Sequence, residues 1–211
     1  MNIGIIGSGA MGSGFAAHWS RTGHKVLITS TDLEETKDAV KGMGPNVATG
    51  SLEEVIEFGE VVVFAIPFES IEDVVNSSKG RLKGKIVLEC INPLTPDALG
   101  LKIGFSTSAA EELAKLIPGS KVVAAFNTIA ASVLKSDVHS FGSIPASVYY
   151  CGDDGRAKLA VEKLASDIGF EGVDCGPLKN ARYLEPMAEL VIQLAIKGYG
   201  DNIALNLLKR Q

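Results

Sequence analysis

The residues whose types and spacing could do chemistry come first in the chain: Gly7-Ser8-Gly9-Ala10-Met11-Gly12, a G-x-G-x-x-G. A short apolar run, residues 2–6, precedes it, and a segment able to wind as a helix, 13–20, follows. A strand, a tight turn and a helix start, in that order, are the context in which this motif has a mechanism. Gly7 lets the chain turn sharply. Gly9 removes the side chain where a pyrophosphate must approach the backbone, and Gly12 lets the helix lie close to the strand. The free amides and the dipole at the helix start then attract phosphate oxygens. Residues 7–12 are therefore expected to hold the pyrophosphate of a dinucleotide.

A second corner with chemical content is Thr29-Ser30-Thr31-Asp32, at the end of the next apolar run, 25–29. An NAD site places a carboxylate at this strand tip to accept from the ribose hydroxyls. Here Ser30 falls at the tip. Asp32 falls in the loop, where it reads as the N-cap of a following helix. A hydroxyl can donate to a 2′-phosphate, so the corner points to NADP(H) over NAD(H). Lys37 is the nearest downstream cation.

Other polar residues carry less. Cys90, Cys151 and Cys175 are far apart, and His18, His24 and His139 form no cluster at metal-ligand spacing. No metal and no disulfide framework are expected, as in a reducing cytosol. No obvious His–Asp or Lys–Glu pair sits in a loop after a strand, so no catalytic acid or base is assigned. Asp153 and Asp154 read as a turn and a helix cap. Arg182 reads as a contact for an anionic tail or as a pin for the last helices. Met187, Leu190, Val191 and Leu194 recur at helical spacing and read as core or dimer interface.

The elements that must position these residues follow from apolar periodicity. Strands are predicted at 2–6, 25–29, 61–66, 85–89 and 122–126, and helices at 34–42, 71–75 and 108–116. A capping box at Ser51 and Glu54 opens a further helix. The run Val61 to Ile66 does not alternate with polar residues, which suits a parallel sheet covered on both faces. This βα alternation predicts an α/β fold, a doubly wound (Rossmann) parallel sheet. Strands at 146–151 and 172–175, with a helix between them, extend the sheet as a C-terminal βαβ portion. Helices are predicted at 186–196, opened by Pro186, and at 201–209. The expected organisation is a dinucleotide-binding part, 1–127, and a C-terminal part, 128–211, in one compact unit.

The chain has 211 residues, 46% of them hydrophobic, and a formal net charge of −5. It is long enough for a proper core, and its charge argues against general nucleic-acid binding. No apolar run approaches a membrane span. A cytoplasmic protein without nucleic-acid or membrane partners is expected.

Later stretches narrow the reading: Ala125-Phe126-Asn127-Thr128, Cys151-Gly152-Asp153-Asp154, and Gly176 to Arg182 followed by Leu184-Glu185-Pro186. With the opening motif, the chain resembles the NADPH:coenzyme F420 oxidoreductases over nearly its whole length. The cytosolic domains of six-transmembrane metalloreductases look related. The resemblance implies hydride exchange between NADP(H) and a deazaflavin, coenzyme F420, as co-substrate, and suggests a homodimer. It implies that Gly7, Ser8, Gly9, Ala10, Met11 and Gly12 hold the pyrophosphate and that Ser30 and Thr31 face the 2′-phosphate. Ile66 and Pro67 would line the nicotinamide side, with Asn92 and Asn127 near the meeting point of the rings. Archaeal members resembling this chain carry arginine where Thr31 stands and can carry histidine where Asn127 stands. The competing functions are a reductase of a flavin, a ferric chelate or a small carbonyl or imine, and a non-catalytic NADP(H)-binding protein.

Overall fold

The apolar run after Met1 becomes β1 (Asn2–Ile6), which pairs in parallel with β2 (Lys25–Thr29) on one side and β4 (Val61–Phe64) on the other. The computed structural model describes residues 1–210. Beyond β2 lies β3 (Val47–Thr49), and beyond β4 lie β5 (Ile86–Glu89) and β6 (Lys121–Ala125), all parallel. The order β6-β5-β4-β1-β2-β3 shows where the winding reverses: from β1 the chain builds one way to β3, and from β4 the other way to β6. In such sheets the crevice outside the strand ends at the reversal is the usual place for a ligand. Here that place is the C-terminal ends of β1 and β4.

The doubly wound expectation is met, with one refinement at the C-terminal side. β9 (Ser147–Gly152) joins β6 antiparallel, and β10 (Glu171–Asp174) lies parallel to β9, so the βαβ extension runs against the rest of the sheet. A two-strand ribbon, β7 (Ser140–Phe141) with β8 (Ile144–Pro145), precedes β9.

Side chains alternate between two cores, as the period of a strand requires. Ile3, Ile5, Val61 and Val63 face α1 (Ala10–Arg21), α6 (Ala131–Lys135) and α7 (Gly155–Asp167). Ile6, Val62 and Phe64 face α3 (Leu52–Phe58), α4 (Ile71–Ser78), α5 (Ala109–Leu116) and α8 (Ala181–Leu194). Phe15 and Trp19 are both fully buried and stack with centroids 4.5 Å apart, as their spacing on one helix face suggested. The Trp19 indole N–H donates to Leu164 O at 2.9 Å, tying α1 to α7.

Three expectations are corrected. The strand after Glu60 ends at Phe64, two residues short of Ile66. The late apolar helix starts at Ala181, not Pro186, and runs through the proline. Proline removes one backbone donor. The turn before it is pinned from α5, because Arg182 donates to Glu111 from Nε at 2.8 Å and from Nη2 at 2.7 Å. Finally, residues 201–210 form no helix. Gly198 (φ 114) and Gly200 (φ 75) turn the chain out of α8. The tail then lies extended: Leu205 O accepts from Ser147 N at 3.1 Å, and the Asn206 amide donates to Pro145 O at 2.8 Å. Among the described residues no helix is long and apolar enough to cross a membrane.

Candidate functional site

The glycine turn closes the C-terminal end of β1, and each glycine has its own constraint. Gly7 has φ 107, and a Cβ there would lie 2.1 Å from Ala65 O. A Cβ on Gly12 would lie 1.8 Å from Gly7 O, so the helix can approach the turn only without one. At Gly9 a Cβ would meet nothing within 4 Å. Gly7 and Gly12 serve the fold. Gly9 is required by no neighbour in the chain and leaves an open backbone face.

Gly9 is also the N-cap of α1. It offers no capping side chain, and the first turn carries no acidic residue. The leading amides of a helix have no intrahelical acceptor, so this end presents bare donors and the positive end of the helix dipole. Ala10, Met11 and Gly12 supply that first turn. A cavity of about 660 Å³ opens in front of it. Ile6, Gly7, Ser8 and Gly9 line one wall, Thr29, Ser30 and Thr31 another, and Ala65, Ile66 and Pro67 a third. The structure thus brings Gly7, Ser8, Gly9, Ser30, Thr31, Ile66 and Pro67 to one cleft at the sheet's reversal point. The open face at Gly9 fits the pyrophosphate of a dinucleotide.

The corner after β2, Thr29 to Asp32, is ordered by its own side chains. Asp32 caps α2 (Leu33–Ala39), accepting from Glu34 N at 3.0 Å and Glu35 N at 2.9 Å, as the sequence suggested. Ser30 Oγ lies 2.9 Å from Asp32 O and 2.7 Å from Thr36 Oγ1, and Thr36 Oγ1 lies 3.2 Å from Ser8 Oγ. This hydroxyl chain locks the corner to the glycine turn. Lys37 is drawn to Glu34 at 2.6 Å.

Asn92 and Asn127 do not line the cleft; they clamp the neighbouring loops. Asn127 Nδ2 donates to Ile91 O at 3.0 Å, and Asn92 Nδ2 donates to Asn127 O at 2.9 Å. Their Oδ1 atoms are both buried without a donor. Phe126, just before, holds φ 67. Left-handed backbone costs a residue with a side chain about 1–2 kcal/mol. The Phe126 ring offsets part of this by edge contacts with Phe15, Trp19 and Phe170.

Beside this clamp lie two fully buried acids that the sequence reading did not single out, Glu89 at the end of β5 and Glu185 on α8. Glu89 Oε1 accepts from Ile91 N at 2.5 Å, and Glu185 Oε1 accepts from Ala110 N at 3.3 Å. The second oxygen of each has no partner. Burial, reinforced by the nearby Glu185 charge, pushes the Glu89 carboxyl well above the usual range. Burial likewise pushes Glu185 up to about 8. An acid ending an apolar strand, and another inside an apolar helix, were the available signals. Asp153 accepts from Leu178 N at 2.9 Å and Asp154 caps α7, so both are turn and cap residues. Arg182 pins α8 to α5.

Comparison with known proteins matches residues 2–93 to the family described as NADP oxidoreductase, coenzyme F420-dependent. An F420-dependent NADP reductase of Methanocaldococcus jannaschii is 30% identical over 93% of both chains. The metalloreductase STEAP3 of Rattus norvegicus is 31% identical over 87% of this chain but only 35% of its own length. A structure from Arthrobacter sp. FB24, provisionally assigned as an F420-dependent NADP reductase, superposes with TM-score 0.87 at 25% identity, covering 99% of this chain and 100% of its own. With near-complete coverage on both sides of the archaeal match, the chain belongs to the coenzyme F420-dependent NADP oxidoreductase family and is an NADP-dependent oxidoreductase.

Proposed function

We propose that the protein transfers a hydride between NADP(H) and a deazaflavin of the coenzyme F420 class. The observation that carries this reading is the open Gly9 face inside a cleft that ends at Ile66 and Pro67. It is supported by the match along 93% of the M. jannaschii reductase. When bound, the nicotinamide and deazaflavin rings bring their own reactivity, so the protein has to supply distance, orientation and dryness. Gly7, Ser8 and Gly9, with the first-turn amides of Ala10, Met11 and Gly12, hold the pyrophosphate. Ser30 and Thr31 face the 2′-position of the ribose. Ile66 and Pro67 give the nicotinamide an apolar wall. Asn92 and Asn127 fix the two loops beside it. No side chain is assigned as acid or base.

The outer face of α8 exposes Tyr183 (66%) and Leu190 (55%), which supports a homodimer that buries it. The STEAP3 match supports one second reading, a ferric acceptor at the same nicotinamide site. One assay separates the two: NADPH oxidation with a deazaflavin, a flavin and a ferric chelate offered in parallel. Saturable turnover greatest with the deazaflavin supports the proposal, and preferential turnover of the ferric chelate supports the second reading.

A further inference from the structure

The sequence corner 29–32 points to NADP(H), yet the cavity wall there carries no lysine or arginine and does carry Glu35. Asp32 already occupies the amides of Glu34 and Glu35. The Ser30 hydroxyl is engaged by Asp32 and Thr36. Lys37 lies on α2 in an ion pair with Glu34. What remains for a group on the ribose 2′-oxygen is the exposed Thr31 hydroxyl and the exposed Glu35 side chain, which makes no ion pair among the described residues. A carboxylate accepts from a 2′-hydroxyl and repels a 2′-phosphate. The geometry points to Glu35 as the residue that sets cofactor discrimination in this chain, opposing the 2′-phosphate so that NADH is bound alongside NADPH. This deepens the proposed function and rests on its placing of the dinucleotide in the cleft.

Asp73 on α4 is the other carboxylate of the cavity wall. It provides the comparison, since it belongs to the opposite side of the cleft from α2. Among the described residues the Glu35 side chain makes no hydrogen bond or ion pair, so Glu35→Gln removes charge with shape conserved and Glu35→Lys reverses it.

The test is direct titration of the folded protein with NADPH and with NADH, followed by fluorescence or calorimetry. In the wild type the two affinities are expected to lie within about tenfold of each other. Glu35→Gln should raise the NADPH-to-NADH affinity ratio by about fivefold to tenfold, the scale of one exposed charge acting on a dianion. Glu35→Lys should raise it further, and added salt should shrink both effects. An unchanged ratio in both Glu35 variants, or a response confined to Asp73→Asn, would overturn the inference while leaving the dinucleotide site in place. Binding of neither nucleotide by the wild type would overturn the reading of the cleft and this inference with it.

Discussion

At the scale of single residues, the three glycines of the opening turn are under different steric constraints. A Cβ at Gly12 would fall 1.8 Å from the Gly7 carbonyl oxygen, whereas a Cβ at Gly9 would meet nothing within 4 Å. Gly9→Val should therefore keep the melting temperature of the parent and lose dinucleotide affinity. Gly12→Ala should destabilise by about 1–3 kcal/mol, the usual cost of forcing extra volume into a packed site. Paired thermal melts and nucleotide titrations check the contrast; a Gly9→Val protein that binds normally would refute the assignment of the open face. The fold duties of Gly7 and Gly12 were legible because they follow from local geometry. Asp32 was equally legible as a cap. The place of Glu35 in the cavity wall was not, because it depends on which way α2 turns its third residue, and the apolar pattern of the chain does not encode that.

At the scale of elements, the parallel strands were legible because Val61–Phe64 and its neighbours are short, continuous apolar runs between turn signals. β3 was not, since three residues at a sheet edge carry no pattern. The tail was expected to be helical at 201–209, but Leu205 and Asn206 instead complete the start of β9. Helix propensity is a weak preference that tertiary hydrogen bonds override. The start of α8 was hidden because Pro186 looks like a first helical residue, while the pins from Arg182 and Glu185 to α5 are visible only in three dimensions. Those pins make a prediction. The folded pKa of Glu185 is raised to about 8, above its unfolded value near 4.5. Stability from this group is thus fully present below pH 4.5 and is lost as pH rises toward 8. Glu185→Gln, which stays neutral, should match the wild type near pH 4.5 and exceed it increasingly up to pH 8, by on the order of a few kcal/mol. Chemical denaturation across that range checks this, and a stability difference independent of pH would contradict it.

At the scale of the whole molecule, the sheet's reversal between β1 and β4 puts the glycine turn, the Thr29–Thr31 corner and the Ile66–Pro67 wall at one crevice. The loops fixed by Asn92 and Asn127 lie at the ends of the neighbouring strands. The α/β class and the reversal followed from the alternation of elements. The antiparallel entry of β9 did not, because an apolar strand reads the same in either direction. The exposed Tyr183 and Leu190 of α8 predict a homodimer, which sedimentation analysis should report as twice the chain mass of 22.2 kDa; a monomer at micromolar concentration would contradict it. The proposed reaction is direct hydride transfer between the two ring systems across this crevice. It is tested most directly with NADPH stereospecifically deuterated at C4 of the nicotinamide, supplied with an oxidised deazaflavin. Deuterium from one of the two labelled forms should appear on carbon in the reduced deazaflavin. Unlabelled reduced deazaflavin from both forms, or no reduction at all, would contradict the account.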